Sequence, residues 1–93
     1  MTGKIWNDRR HINITDERYL KYNFINILNK SGFSILNISE HQFNNFGYTL
    51  LVMLGESHFA LHTFPEANKT YIELSSCNKK LFRKYMKLLK TIV

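Results

Sequence analysis

Hydrophobic and polar positions alternate along this chain with two different periods, and the switches between them mark its elements. Residues 10–15 (RHINIT) alternate and carry β-branched side chains, which predicts a short strand after a loose arm over residues 1–8. Thr15 or Asp16 offers a cap for the next element, since T-D-E-R is an N-terminal helix signal. Tyr19, Leu20, Tyr22, Phe24, Ile27 and Leu28 then recur at helical spacing until Ser31-Gly32 ends the helix. Period two returns over residues 33–39 (FSILNIS), and Asn44-Asn45-Phe46-Gly47 marks a turn. Residues 48–54 (YTLLVML) are almost continuously apolar and read as a buried strand. Residues 58–64 (HFALHTF) alternate again, and Pro65 stops them because proline cannot donate to a ladder. Residues 69–75 (KTYIELS) make another strand. From Asn78 onward the period is helical. Phe82, Met86, Leu89 and Val93 form one apolar stripe, with Lys79, Arg83, Lys84, Lys87 and Lys90 largely on the other side.

The predicted order is therefore β-α-β-β-β-β-α. Short links between strands imply antiparallel pairing. The economical architecture is α+β: a two-layer α/β sandwich, an antiparallel sheet with helices on one face, in a single domain over residues 1–93. The chain shows no internal repeat, linker or low-complexity tract.

Composition sharpens this picture in three places. A chain of 93 residues, 44% hydrophobic and 14% aromatic, folds but buries only a small core alone, so a partner subunit would help. The net charge of +6 favours anionic surfaces without naming a partner. The lone Cys77 excludes a disulfide within the chain and suits a reducing compartment, so a cytoplasmic location is expected. The start, MTGKIWNDRR, lacks the apolar region of a signal peptide, and the longest apolar run, residues 50–54, is far too short to span a membrane.

Candidate chemistry concentrates in residues 56–66, ESHFALHTFPE. Two histidines four residues apart on a helix would share a metal ion. On a strand they stand about 13 Å apart at about 3.3 Å per residue, so no metal is expected. Gly55-Glu56-Ser57-His58-Phe59 lacks the second glycine of a hydrolase nucleophile elbow. The plain alternative is a strand whose polar side chains face solvent, with Cys77 as a buried structural thiol.

The whole pattern resembles the short, prokaryotic form of the pyruvoyl-dependent S-adenosylmethionine decarboxylases. That family carries E-S-H-x-x-x-H-T-W-P-E, a strand ending in T-C-G about twenty residues after the serine, and H-K-F before the motif. This chain has His41-Gln42-Phe43, Gly47-Tyr48-Thr49, Glu56-Ser57-His58, His62-Thr63-Phe64-Pro65-Glu66 and Ser75-Ser76-Cys77, in order and at the family's spacing, over residues 41–77. It departs from the family in having Thr15 run straight into Asp16, Phe64 in place of tryptophan, and Asn78 in place of the glycine after the cysteine.

The resemblance implies self-cleavage between Glu56 and Ser57, leaving a pyruvoyl cofactor made from Ser57 and requiring no metal. It implies that Glu56, Ser57, His62 and Thr49 serve processing, with His62 as the base for elimination and Thr49 steadying the oxyanion. It makes Ser57, His62 and Cys77 catalytic. By the same resemblance, the substrate amine would join the pyruvoyl carbonyl as a Schiff base, and Cys77 would return a proton to the α-carbon. Phe43 and Phe64 would wall the adenine, Glu66 would bind ribose hydroxyls, and His58 would contact the substrate carboxylate. A homodimer is expected, with no membrane partner, and the reaction would supply spermidine synthesis. The same chemistry fits ornithine or arginine as substrate, and an unprocessed homologue would bind or degrade S-adenosylmethionine by another route. From a different class, the six Lys/Arg within residues 79–90 are compatible with a basic nucleic-acid-binding module. Such a module has no use for E-S-H-x-x-x-H-T-x-P-E, and nucleic acid is not the expected partner.

Overall fold

The structure, a computed structural model, describes residues 3–93. Its elements are β1 (Trp6–Ile12), α1 (Glu17–Ser31), β2 (Ile35–Gln42), β3 (Tyr48–Leu54), β4 (Ser57–Phe64), a 3-10 turn (Pro65–Ala67), β5 (Lys69–Ser76) and α2 (Lys79–Leu89). The strands form one sheet in the order β1-β5-β4-β3-β2, and every neighbouring pair is antiparallel. Both helices cover the same face. This is the expected α+β sandwich.

The helix ends follow local chemistry. Asp16 is the cap of α1, and its carboxylate accepts the Tyr19 amide at 3.0 Å. Gly32 closes the helix at φ 103, a left-handed conformation that favours glycine, and its N–H reaches the Asn29 and Leu28 carbonyls. Asn78 caps α2 in the same way as Asp16, accepting the Leu81 amide at 3.0 Å.

Two strand boundaries move from the sequence pattern. The first strand begins at Trp6 and ends at Ile12, instead of spanning residues 10–15; part of the expected arm is thus strand, and residues 1 and 2 lie outside the described residues. β5 supplies a partner for every residue of β1, from Trp6↔Ser76 to Ile12↔Thr70, so ladder bonds override a polar pattern. The second strand runs Ile35–Gln42 instead of 33–39, because β3 pairs it through Gln42↔Tyr48 after a register shift between Ile35 and Asn37.

The core sits between the helices and the β3, β4 and β5 face. Phe59, on the central strand, stacks on Phe24 of α1 (5.1 Å between centroids) and meets Tyr85 of α2 at 6.4 Å. It is 1% exposed, and burying such a ring stabilises by about 2–3 kcal/mol. Tyr85, missing from the predicted stripe of α2, is its most buried member beside Leu89, whereas Val93 is 47% exposed beyond the helix end. The six basic residues from Lys79 to Lys90 are exposed.

Among the described residues, no layer covers the other face of the sheet. The β3 run, read as buried throughout, is buried on one side only: Leu51 is 46% and Met53 58% exposed. All four histidines project from this open face, on β1, β2 and β4, by the register of the strands.

Among the described residues, the Tyr85 hydroxyl is the buried side-chain polar atom without a hydrogen-bond partner. Burial pushes its ionisation well above the ordinary tyrosine range. Tyr85→Phe removes an unpaired polar atom and keeps the ring, so it should stabilise by about 1 kcal/mol, a rise of about 4–8 °C in Tm. Calorimetry on a Ser57→Ala background checks this, and a lower Tm would mean that the hydroxyl is paired.

Candidate active site

The link between β3 and β4 is the tight turn Gly55-Glu56, and Leu54 pairs with Ser57 across it. Glu56 sits at φ 56, in the left-handed region that residues with a Cβ adopt only at an energetic cost. Ser57 starts β4 opposite Ser76 at the end of β5. Its hydroxyl donates to Ser76 Oγ at 2.8 Å. Cys77 leaves β5 with its thiol on the Glu56 carbonyl, Sγ to O 3.2 Å, and 3.7 Å from Glu56 Oε2. The Glu56–Ser57 peptide therefore has a hydroxyl on its nitrogen side, a thiol donor on its carbonyl oxygen and a strained residue at its acyl end. Those are the parts an N-to-O acyl shift requires.

A second cluster lies at the opposite end of β4. A cavity of about 310 Å³ is lined by Phe43, Thr49, His62, Phe64 and Glu66, among others. Thr49 and His62 are directly cross-strand, and Thr49 Oγ1 and His62 Nδ1 share a hydrogen bond of 2.9 Å. Tyr71 stacks on the His62 ring at 6.1 Å and 28°. The Tyr71 hydroxyl donates to Glu73 (2.8 Å), which also accepts from Asn7 (2.8 Å). The bonds from Asn7 and then Tyr71 hold the Glu73 carboxyl below the usual range, and Glu73 in turn pushes the Tyr71 phenol up.

Loop geometry places the aromatic walls. The Phe43 amide donates to the Gly47 carbonyl (2.7 Å) and closes the turn, while His41 meets the Phe43 ring edge-on at 4.5 Å. Gly47 is buried, and a Cβ there would come 3.1 Å from Asn45 Oδ1. Past Phe64, Pro65 opens the 3-10 turn that carries Glu66, and Asn68 at φ 51 ends it.

The structure thus brings the expected residues together in two groups and keeps the groups apart. Glu56, Ser57 and Cys77 form one. Phe43, Thr49, His62, Phe64 and Glu66 form the other. Ser57 and His62 are five positions apart along β4, about 16 Å at about 3.3 Å per residue, and the odd interval puts them on opposite faces. His58 is exposed on the open face between Met53 and Ser75, one residue from Ser57 but pointing away from it. Ser76 and Tyr71 were not among the expected residues. The signal that finds them is register: each lies directly across β5 from a residue of the motif, Ser57 and His62 respectively. Among the described residues no three His, Cys, Asp or Glu group as metal ligands, and no helix is long and apolar enough to cross a membrane.

A family model described as S-adenosylmethionine decarboxylase matches residues 6–92. The chain belongs to the S-adenosylmethionine decarboxylase family. It is 38% identical over 64 residues to S-adenosylmethionine decarboxylase proenzyme 2 of Bacillus cereus, covering 69% of this chain and 52% of that one. Against the S-adenosylmethionine decarboxylase proenzyme of Prochlorococcus marinus the identity is 31% over 70 residues, 75% of this chain and 56% of that one. The chain spans about half the length of these curated relatives. In fold it is similar to the crystal structure of the adenosylmethionine decarboxylase from Aquifex aeolicus, with TM-score 0.78 over 94% of this chain and 78% of that chain, at 16% identity.

The bonds on Glu73 set a pH dependence for the sheet of this family member. A carboxyl held below its ordinary range adds stability that is present in full above that range and is lost as pH falls through the folded-state value. The Tm of the Ser57→Ala chain should therefore fall more steeply between about pH 5 and 3 than that of the same chain carrying Glu73→Gln. Equal slopes in a pH series of thermal melts would show that Glu73 is not charge-stabilised.

Proposed function

We propose that this chain is a self-processing pyruvoyl-dependent decarboxylase acting on S-adenosylmethionine in a soluble, reducing compartment, where the product serves spermidine synthesis. The observation that carries the reading is the Glu56–Ser57 peptide, with Glu56 at φ 56 and the Cys77 thiol on its carbonyl.

In processing, Ser57 Oγ adds to the Glu56 carbonyl carbon, the peptide C–N bond breaks and the freed nitrogen takes the hydroxyl proton. The product is an ester, and the strain at Glu56 is relieved. A base removes the Ser57 Cα proton, the Cβ–O bond breaks, and the chain ending at Glu56 leaves as a carboxylate. Water then hydrolyses the remaining enamine as its imine tautomer, releasing ammonia and a pyruvoyl terminus. His62 fits the base, because the Thr49 hydrogen bond engages Nδ1 and leaves Nε2 for the proton.

Once formed, the pyruvoyl group supplies an electron sink for loss of carbon dioxide from an α-amino acid. This chain's residues fit such a group: its precursor serine stands at a strand start, with the thiol of Cys77 close enough to hold and return a proton. Phe43 and Phe64 wall the cavity, and its carboxylate, Glu66, suits ribose hydroxyls. Two aromatic walls favour a nucleoside over the distal amine of ornithine or arginine.

Two copies bring the two ends near each other. Stacking open face on open face, about a twofold axis running across the strands, sets the Ser57 end of one sheet over the His62 end of the other. Ser57 itself is on the helix face, so the partner's cluster reaches it around the strand end at the Gly55-Glu56 turn, and two equivalent sites result. Such a homodimer also covers Leu51, Met53 and Phe64.

Intact mass under denaturing conditions tests the processing. The wild-type chain should split between Glu56 and Ser57 into two pieces, the second with a blocked N-terminus, and Ser57→Ala should stay whole. An intact wild-type chain after long incubation overturns the reading. Coexpression tests the shared site. His62→Ala alone should remain uncut, and in an equal mixture with Ser57→Ala about half of the His62→Ala chains should be cleaved, as random pairing dictates. No cleavage in the mixture would place His62 and Ser57 of one chain in one site.

A further inference from the structure

Ser76 is 1% exposed and lies on the helix face at the end of β5. A hydroxyl so deeply buried requires partners, and it has three contacts. Its oxygen accepts the Ser57 hydroxyl at 2.8 Å and the Asn78 amide at 2.9 Å, and its own hydrogen is directed at the Asn78 carbonyl, 3.4 Å away. The Asn78 side chain is meanwhile committed to the α2 cap. Ser76 Oγ is thus an acceptor fixed in place by the backbone that starts α2.

We propose that Ser76 is the positioning residue for the self-cleavage of this chain: it holds the Ser57 hydroxyl hydrogen, and so fixes the orientation from which Ser57 Oγ attacks Glu56. The inference rests on the self-cleavage reading of the Glu56–Ser57 peptide. A serine hydroxyl rotates freely when it has no partner. With its hydrogen committed to Ser76, its lone pairs are left free for the Glu56 carbonyl carbon, while Cys77 holds the carbonyl oxygen. Consecutive residues at the end of β5 thereby engage the nucleophile and the electrophile of one step. No proton passes to Ser76 in the product. In the acyl shift the Ser57 hydroxyl proton ends on the freed Ser57 nitrogen, and Ser76 sets only the geometry from which it departs. After processing, residue 57 has no hydroxyl, so the role ends there.

The test is the rate of self-cleavage, followed by intact mass from freshly refolded chain, for wild type, Ser76→Ala, Ser76→Thr and Ser76→Cys. Ser76→Ala is expected to slow cleavage about tenfold, the worth of one well-placed neutral hydrogen bond. Ser76→Cys, of similar volume and a poorer acceptor, should be slow as well, and Ser76→Thr should restore the rate. Once fully cleaved, the Ser76→Ala protein should turn over S-adenosylmethionine with wild-type kcat and KM per pyruvoyl group, which a structural defect would not allow. Cleavage of Ser76→Ala at the wild-type rate overturns the inference and leaves the decarboxylase reading standing. Equal slowing in all three variants, with no rescue by threonine, also overturns it, because packing would then be the cause. If the wild-type chain itself never cleaves, the functional reading fails and this inference falls with it.

Discussion

The ladder that locks β4 between β3 and β5 governs everything else in this molecule. Its register puts Phe59 and Leu61 under the helices and His58 and His62 on the open face, because side chains alternate with period two. A slip of one residue on either side would invert that assignment and expose the core. The helices reinforce the register from one side only. Phe24 and Tyr85 both bear on Phe59, so the most buried ring of the central strand is held by both helices. That contact stands midway between the two candidate clusters and leaves each at a strand end, where backbone strain such as that of Glu56 is tolerated.

Much of this was legible in the chain itself. Asp16, Gly32 and Asn78 act through their own backbone neighbours, so caps and helix ends followed from local residue types. The strands at the two edges were misplaced for a shared reason. Trp6 to Arg10 and Glu40 to Gln42 are mostly polar, and they are strand because a long neighbour offers them ladder bonds. Pairing of that kind is non-local and leaves no period in the edge strand's own sequence. Tyr85 escaped the predicted stripe because a tyrosine counts as half polar, and its unpaired hydroxyl is an uncommon way to fill a core.

The motif named the residues of both candidate clusters, but their division into two was not legible. A motif read along the chain puts Ser57 and His62 side by side. The strand between them converts five residues into about 16 Å and a change of face. The continuous apolar run of β3 accords with the proposed second copy. An antiparallel strand with one face in solvent should alternate, and Leu51 and Met53 break that alternation on the side where no helix lies. The excess of apolar residues there is what a second sheet would cover.

Asn78 ties the start of α2 to the proposed cleavage site. The resemblance would place glycine at this position, and the structure gives asparagine two tasks that glycine shares only in part. Its amide donates to Ser76 Oγ, which any residue's backbone can do. Its side chain caps α2, which glycine cannot. A well-capped α2 keeps its first turn from fraying, and that turn begins one residue past the amide that holds Ser76. Loosening the cap would therefore cost stability and also free the Ser76 acceptor, then the Ser57 hydroxyl. The helix that completes the core, through Tyr85 on Phe59, is the same helix whose start orients the serine at the chain's proposed point of scission. One short backbone segment, residues 76–78, thus joins the cap of α2 to the hydroxyl of Ser57 at the proposed point of scission.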